Sequence, residues 1–430
     1  MKGIALFASV VFVVVGCSSP KSGASAASDP YVRAKALGLY TDLTYLSQRS
    51  VPEGTDAAPL YEEFGFNYTW ETRNPLLEYL RGESDRDAVA TILDGLDFPG
   101  VEKIASRPNF VLNRDWSKTM EWLLPEISQS RDMTRALCAR ALYRVQDGRT
   151  SEAAHDFRRI ATLQEHMSQY GMSLSQLTRI SNLAIVAITT EQIANELVSQ
   201  PEELQLILDE LAAIAEPEDF DTIRSEIAFA ISSFRYVRRG DMSLDTFTDT
   251  SLSGSITPPN PFDVARIESH GDDIERYLVS LFVRCAEVWQ DREQLAATYQ
   301  DIQDELGAKG SGYGETLAKI VALVVLPFLD SHQEVEDKQR AHLRSMSIGV
   351  AATIMRARNG EWPTLAEAAE YGGTSLDDPF GKRLRYKADG ARLLVYSVGP
   401  DGIDGDGARR HTGQTGRDAF DTAVFEVIVR

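Results

Sequence analysis

Five aspartates near the C-terminus have the type and spacing expected of a cation site. Asp401, Asp404 and Asp406 lie in the segment GPDGIDGDG, and Asp418 and Asp421 follow in GRDAFD. Calcium binds about six to eight oxygen ligands at about 2.3–2.6 Å, and glycines let a loop fold several carboxylates around one ion. We therefore predict a Ca²⁺ site formed by these five aspartates.

Two alternatives stay open for this loop. The stretch between the two aspartate groups carries four basic residues: Arg409, Arg410, His411 and Arg417. Their charges would neutralise the aspartates without a metal, and the loop could equally be a solvated turn. An EF-hand is excluded, because the twelfth position counted from Asp404 is Thr415 instead of glutamate.

Cys17 is the other residue with an assignable chemistry, because it follows a short apolar segment at the N-terminus. Residues 4–15 are apolar or small, and about a dozen residues are too few to cross a bilayer as a helix. The segment ends in VVGC (residues 14–17), which resembles the lipobox of bacterial lipoproteins. The resemblance implies removal of residues 1–16 as a signal peptide and lipidation of Cys17, whose acyl chains would then hold the protein on a membrane.

The residues around this junction predict a location in the cell envelope, facing the periplasm. Residues 17–30 comprise the lipidated cysteine and a small, polar segment, which as a flexible tether would reach about 20 Å. Ser18 follows the cysteine, whereas aspartate there retains many Gram-negative lipoproteins in the inner membrane. We therefore favour the outer membrane over the inner one.

The charge balance limits the partners. The chain of 430 residues has a formal net charge of −20. So acidic a surface repels phosphate backbones and anionic lipid headgroups. We therefore expect no nucleic-acid partner, and membrane contact through the lipid anchor instead of a basic patch.

Residues 31–330 are predicted to form an α-helical domain. Apolar residues recur there at intervals of three and four, and alternation of period two is scarce. The pattern predicts a multi-helix bundle with helices at 31–48, 115–128, 131–147, 150–170, 173–198, 201–214, 219–238, 270–306 with a break, and 313–330. Residues 141–163 resemble one tetratricopeptide-type hairpin with Gly148 at its turn, but without further copies a generic helical hairpin is the alternative.

Cys138 and Cys285 are predicted to be small buried residues, with a disulfide between them as the alternative.

Residues 331–430 are predicted to form a small α+β module. A helix at 333–358 ends at Asn359-Gly360, and a short helix follows at 364–370. Alternating segments at 384–387 and 393–397 flank Asp389-Gly390, which is typical of a hairpin. Residues 423–429 are predicted to be a last strand. The whole chain is thus mainly α: a helix bundle followed by a long helix with about three antiparallel strands.

The order of motifs in this module resembles the globular half of the major pseudopilin of type II secretion systems. A long helix ending in Asn-Gly is followed by Trp362-Pro363-Thr364, an Asp-Pro-Phe-Gly turn at 378–381 and Tyr-Ser-x-Gly-x-Asp-Gly at 396–402. The resemblance covers about 75 residues and implies calcium at Asp401, with Asp418 or Asp421 as later ligands. The module also resembles the C-terminal part of helical proteins of unknown function from planctomycete-type bacteria. The helix preceding this module starts with charged residues, so we do not expect a filament subunit.

The function follows less directly from the residues. No HExxH, P-loop, GxSxG or CxxC motif is present. His155 and His166 are too far apart on one helix to share a metal, so both are predicted to be surface or packing residues. We predict a lipid-anchored, non-catalytic binding or scaffold protein with a calcium-stabilised module and a protein partner in the envelope. The alternatives are an accessory factor of a type II secretion or type IV pilus-like system, and an envelope hydrolase that uses carboxylates of the helical domain.

Overall fold

The computed structural model of the protein describes residues 29–64, 69–84, 86–112, 125–170, 172–216, 221–239, 261–289, 291–307, 313–408 and 422–429. Within these residues the chain is mainly helical and has one small three-stranded antiparallel sheet near the C-terminus. The predicted fold class is therefore confirmed.

The helices and strands are as follows. In chain order the helices are α1 (Pro30–Ala36), a 3₁₀ helix (Leu43–Gln48), α2 (Ala58–Glu63), α3 (Trp70–Leu80), α4 (Arg86–Asp94), α5 (Phe98–Ala105), α6 (Pro125–Gln146), α7 (Thr150–Tyr170), α8 (Ser173–Glu196), α9 (Pro201–Leu211), α10 (Asp221–Arg238), α11 (Pro261–Glu287), α12 (Arg292–Gly307), α13 (Tyr313–Asn359) and α14 (Leu365–Tyr371). The strands are β1 (Arg385–Asp389), β2 (Arg392–Ser397) and β3 (Thr422–Ile428).

The chain divides into two compact units. The first contains residues 1–49, 113–123 and 219–331, and the second contains residues 50–112, 124–218 and 332–430. The chain thus enters the second unit for the last time at His332, close to the domain boundary predicted after residue 330. The predicted division of the chain at that point stays a prediction, because the second unit also contains the helices from α2 to α9.

The described core of the first unit is built around large aromatic side chains. Phe234 of α10, Phe282 of α11 and Trp289 are buried together with aliphatic residues of α1 and α12. Cys285 lies in the same core. Cys285 and Cys138 are both buried and free, which confirms their prediction as small buried residues, and burial raises the pKa of each thiol to about 12.

Several predicted helix boundaries are wrong, including the start predicted at residue 270, since α11 begins at Pro261. The helix predicted at 31–48 ends at Ala36, because Gly38 takes a φ of +69° and the chain turns before the 3₁₀ helix begins. The break predicted between 128 and 131 does not exist, since α6 runs through it. The helices predicted at 313–330 and 333–358 are one helix, α13. Its charged stretch continues the helix because Lys, Glu and Gln are good helix formers, and Lys338 pairs with Glu334 one turn away at 2.5 Å.

The helical part of the second unit contains an antiparallel hairpin of α6 and α7. Gly148 occupies the turn with a φ of +71°, a conformation that glycine adopts without strain. Ala153 and Phe157 of α7 are fully buried, as the hairpin pattern predicts. Helix α8 packs against both helices of this hairpin.

The sheet of the second unit has the order β1-β2-β3, and both pairs of strands are antiparallel. Asp389 and Arg392 close the hairpin between β1 and β2, as predicted. Phe425 of β3 packs directly on Gly349 of α13: a Cβ atom at that glycine would lie 2.1 Å from the Phe425 ring. The glycine therefore allows the sheet to approach the helix closely.

Two side chains of α8 cover the outer edge of β3. Glu191 Oε2 accepts a hydrogen bond from the Glu426 amide at 2.9 Å, and Asn195 Oδ1 accepts one from the Ile428 amide at 2.8 Å. Asn195 Nδ2 also donates to the Glu426 carbonyl at 3.1 Å. These side chains satisfy the backbone groups that a further strand would otherwise pair with.

Candidate functional site

The predicted lipid anchor lies outside the described residues. Cys17 and residues 18–28 of the tether precede Asp29, the first residue that the structure describes, whereas Asp29 and Pro30 cap and begin α1. Among the described residues, no helix combines the length and the apolar content needed to cross a membrane.

The Asp/Gly loop, residues 399–408, follows β2. Asp401 Oδ1 accepts a hydrogen bond from the Ile403 amide at 3.0 Å, so this side chain stabilises its own turn. Asp404 Oδ1 accepts from the Asp406 amide at 3.0 Å and from the Tyr396 hydroxyl at 2.8 Å. The loop is thus held partly by its own carboxylates.

Basic residues of β1 engage two of the three described aspartates. Arg385 Nε lies 3.0 Å from Asp404 Oδ2, and Lys387 is paired with Asp406. Burial raises the pKa of Asp404, but the hydrogen bond from Tyr396, the Asp406 amide and the nearby basic charges together lower it below its usual value. Sequence reasoning missed these partners, although residues 385 and 387 are two apart in a strand and therefore share one face.

The calcium site stays a prediction, because the structure describes only three of its five aspartates. Asp401 has no basic partner among the described residues, while Asp404 and Asp406 are already neutralised. Asp418 and Asp421 lie outside the described residues, and in the part of the chain that the structure does describe no three His, Cys, Asp or Glu side chains are grouped to hold a metal. A calcium ion would need Asp401 with Asp418 or Asp421, and it would compete with Arg385 and Lys387.

A buried carboxylate that the sequence did not single out anchors the turn before the sheet. Asp378 is 3% exposed, and its Oδ1 accepts hydrogen bonds from Ser397 Oγ at 2.7 Å and from the Phe380 amide at 3.0 Å. Its Oδ2 accepts from the Val398 amide at 3.1 Å. The sequence predicted the Asp-Pro-Phe-Gly turn, but the bonds to β2 depend on how the sheet packs.

The second unit also contains an open cleft of about 510 Å³. Its walls are the C-terminal end of α9 with the residues after it, one face of α13, and the last turn of α14 with the segment that follows it. Much of the lining is small or aliphatic, as at Leu211, Ile214 and Leu343, and polar groups come from Glu216, Arg344, Ser347, Glu370, Thr374 and Ser375. A volume of this size is typical of small-molecule sites, which span about 300–1,000 Å³.

One arginine organises a wall of this cleft. Arg344 donates to both carboxylate oxygens of Glu216, each at 2.8 Å, and its Nη1 donates to the Asp377 carbonyl at 2.9 Å. The hydrogen bond and charge of Glu216 raise the pKa of Arg344 despite its burial. The guanidinium is therefore committed to structure, and Glu216 is not free to act as a catalytic acid or base.

The largest buried charge cluster lies in the α6–α7 hairpin. Asp156 is fully buried, and Arg140 binds it through two hydrogen bonds of 2.6 and 3.1 Å. Arg144 donates to it at 2.6 Å and Arg159 at 3.1 Å. Arg140 also stacks on the Phe98 ring, 3.7 Å from its centroid. Arg140 also donates to Glu102 of α5 at 3.0 Å, so the cluster connects the hairpin to α5.

His166 is the packing residue that was predicted, whereas His155 is exposed. His166 Nε2 lies 2.6 Å from the Arg107 carbonyl, which can only accept, so Nε2 carries the proton. Nδ1 then accepts from the Tyr61 hydroxyl at 3.2 Å. Burial lowers the pKa of His166 to about 4, so the ring is neutral at physiological pH and holds α2 and α7 together.

Among the described residues the geometry therefore offers an open cleft, an aspartate loop and a set of structural hydrogen-bond and ion-pair networks. Comparison with family models, with curated proteins and with solved structures found no match to this chain.

Proposed function

We propose that this protein is a lipid-anchored, periplasm-facing envelope protein whose folded part binds or scaffolds a partner without catalysis. The anchor rests on VVGC at residues 14–17, directly after an apolar segment of signal-peptide length. The binding role rests on the cleft between α9, α13 and the segment after α14. That cleft is the single structural observation that carries the proposal.

A binding role is favoured over hydrolysis by the state of the acids in the cleft. Carboxylate hydrolases place two acids on either side of the reacting bond, with one free to give and take a proton. In the cleft the carboxylate of Glu216 is bound by Arg344 through both oxygens. Glu370 alone among the described cleft acids has no such partner. A single unpaired carboxylate can recognise a ligand, whereas the hydrolysis described above needs two acids.

The alternative role, as an accessory of a type II secretion or pilus-like system, is supported by the order of elements at the C-terminus. A long helix, a short helix and a three-stranded antiparallel sheet follow one another as in the pseudopilin-like pattern. Site-specific photocrosslinking from the exposed strand residue Lys387 in envelope preparations tests it. Crosslinks to pseudopilins would favour this role, and crosslinks only to other envelope proteins would favour the scaffold.

Replacing Cys17 by alanine is expected to move the protein out of the membrane fraction. Without the thiol no diacylglycerol is attached, and no other described segment is a candidate membrane span. Fractionation of cells, with intact-mass analysis of the native protein, measures the effect. Ser18→Ala is the control and is expected to stay membrane-bound. A Cys17→Ala protein that has lost residues 1–16 by intact mass and still sediments with membranes would contradict the anchor.

Calcium is expected to raise the melting temperature of the protein. A cation held by Asp401 and the later aspartates binds only the folded loop, and at about one hundred times its dissociation constant it would add about 2.7 kcal/mol to the free energy of unfolding. Melting curves in calcium and in EGTA measure the shift, and Asp401→Ala should remove it. Equal melting temperatures in both solutions would mean that the pairing with Arg385 and Lys387 replaces the metal.

A further inference from the structure

The charge balance inside the cleft is negative. Arg344 and Glu216 neutralise each other through their two hydrogen bonds. Glu370 also lines the cleft, is exposed, and forms no ion pair with any described residue. One full negative charge therefore remains on the cleft wall.

The ends of two helices add to this negative potential. Helix α9 ends at Leu211 and α14 at Tyr371, and the residues that follow each end line the cleft. The amides of residues 212–214 and 372–374 already bond carbonyls in the last turns of these helices, so the helix ends contribute the negative end of a dipole and not free acceptors. Neither helix has a basic residue in its last turn, and Arg358, which contacts the Tyr371 hydroxyl, is already paired with Glu202 at 2.9 Å.

A buried cation behind the cleft wall does not reverse this balance among the described residues. Arg179 of α8 is 3% exposed and donates to the Ala215 carbonyl at 3.3 Å. Burial lowers the pKa of Arg179, and the nearby charges of Glu165 and Glu336 oppose that effect. Arg340 lies 3.9 Å from Glu336 and 3.1 Å from Asp337. The carboxylates of Glu165, Glu336 and Asp337 therefore face the guanidinium groups of Arg179 and Arg340, so these residues add no net positive charge.

We propose that the cleft binds a small aliphatic amine in its ammonium form. The ammonium group lies by Glu370 and near the C-terminal ends of α9 and α14, where a cation is stabilised by a hydrogen bond to the carboxylate and by the negative ends of the two helix dipoles. The alkyl chain packs on the aliphatic wall formed by Leu211 and Leu343. This inference rests on the binding role proposed above and is independent of the lipid anchor.

Isothermal titration of the purified protein with cadaverine, and with glutarate as the dicarboxylate of equal chain length, tests the assignment. Cadaverine is expected to bind and glutarate is not. Glu370→Gln should weaken cadaverine binding about tenfold, because a charge-assisted hydrogen bond becomes a neutral one. Glu361→Gln removes the same charge from an exposed position outside the cleft, and it is expected to leave the affinity within about twofold.

A second variant tests the place of binding. Ala212 lines the cleft and is exposed, so Ala212→Trp fills the space with little disturbance of the core. It should abolish cadaverine binding while the circular dichroism spectrum stays unchanged.

Equal losses of affinity in Glu370→Gln and Glu361→Gln would mean non-specific attraction and overturn the inference. Binding of glutarate, blocked by Ala212→Trp, would also overturn it but leave the binding role intact. An acetylated lysine amide, titrated as a further probe, has no free side-chain amine; its binding in place of cadaverine would overturn the assignment to a free amine. If none of these probes binds, the inference is overturned altogether.

Discussion

Replacing Asp156 by alanine is expected to lower the free energy of unfolding of the second unit by about 3–5 kcal/mol. The side chain is fully buried and accepts hydrogen bonds from Arg140, Arg144 and Arg159. Without it, three guanidinium groups lose their shared counter-charge, and arginine cannot escape burial by losing its proton. Urea unfolding followed by far-UV circular dichroism measures the change.

The control for this prediction is Glu202→Ala, which removes an ion pair with Arg358 at a carboxylate that is 80% exposed. Solvent screens such a pair, so we expect a far smaller change than at Asp156. Asp156→Asn separates charge from shape, because the amide keeps the volume and one acceptor oxygen. If Asp156→Asn were as stable as the unaltered protein, the cluster would not depend on the carboxylate charge.

The long helices were predictable because their apolar residues repeat over many turns. Helix α7 matches its predicted range, and α8 ends two residues before its predicted end. The short helices α2 to α5 were not predicted. Each offers few turns of pattern, and α3 contains Pro75, which is normally a signal against a helix interior. Packing on α6 and α7 stabilises these helices where the local pattern is weak.

The functional features were harder to predict because they join distant parts of the chain. Arg159 lies three residues after Asp156, but Arg140 and Arg144 reach it only through the register of the α6–α7 hairpin. The cleft combines residues near positions 211, 343 and 370, which no spacing rule connects. The aspartates of the Asp/Gly loop were visible in the sequence, whereas their pairing with Arg385 and Lys387 depends on the strand face that β1 presents.

Replacing Asp378 by alanine is expected to lower the free energy of unfolding by about 2–4 kcal/mol, because each buried donor left without an acceptor costs about 1–3 kcal/mol. The Val398 and Phe380 amides and the Ser397 hydroxyl all donate to this carboxylate. The Ser397 hydroxyl can rotate to another acceptor, but the two amides are fixed by the backbone. Urea unfolding measures the loss, and hydrogen exchange at Val398 reports whether the turn has separated from β2.

Asp378→Asn and Asp377→Asn together show whether the effect comes from the carboxylate. Asparagine at position 378 can keep one oxygen towards the Phe380 amide, but its NH₂ group then faces the Val398 N–H. Because two donors then oppose each other, we expect part of the loss in free energy of unfolding that alanine causes. Asp377 is exposed, and its side chain accepts a hydrogen bond from the Ser375 hydroxyl at 3.2 Å. The Asp377 amide donates to the same hydroxyl and is kept in the variant, so the replacement should leave stability almost unchanged. Equal stability of both asparagine variants would mean that the turn is held by Pro379 and by packing, because the loss of a buried acceptor would then have no measurable cost.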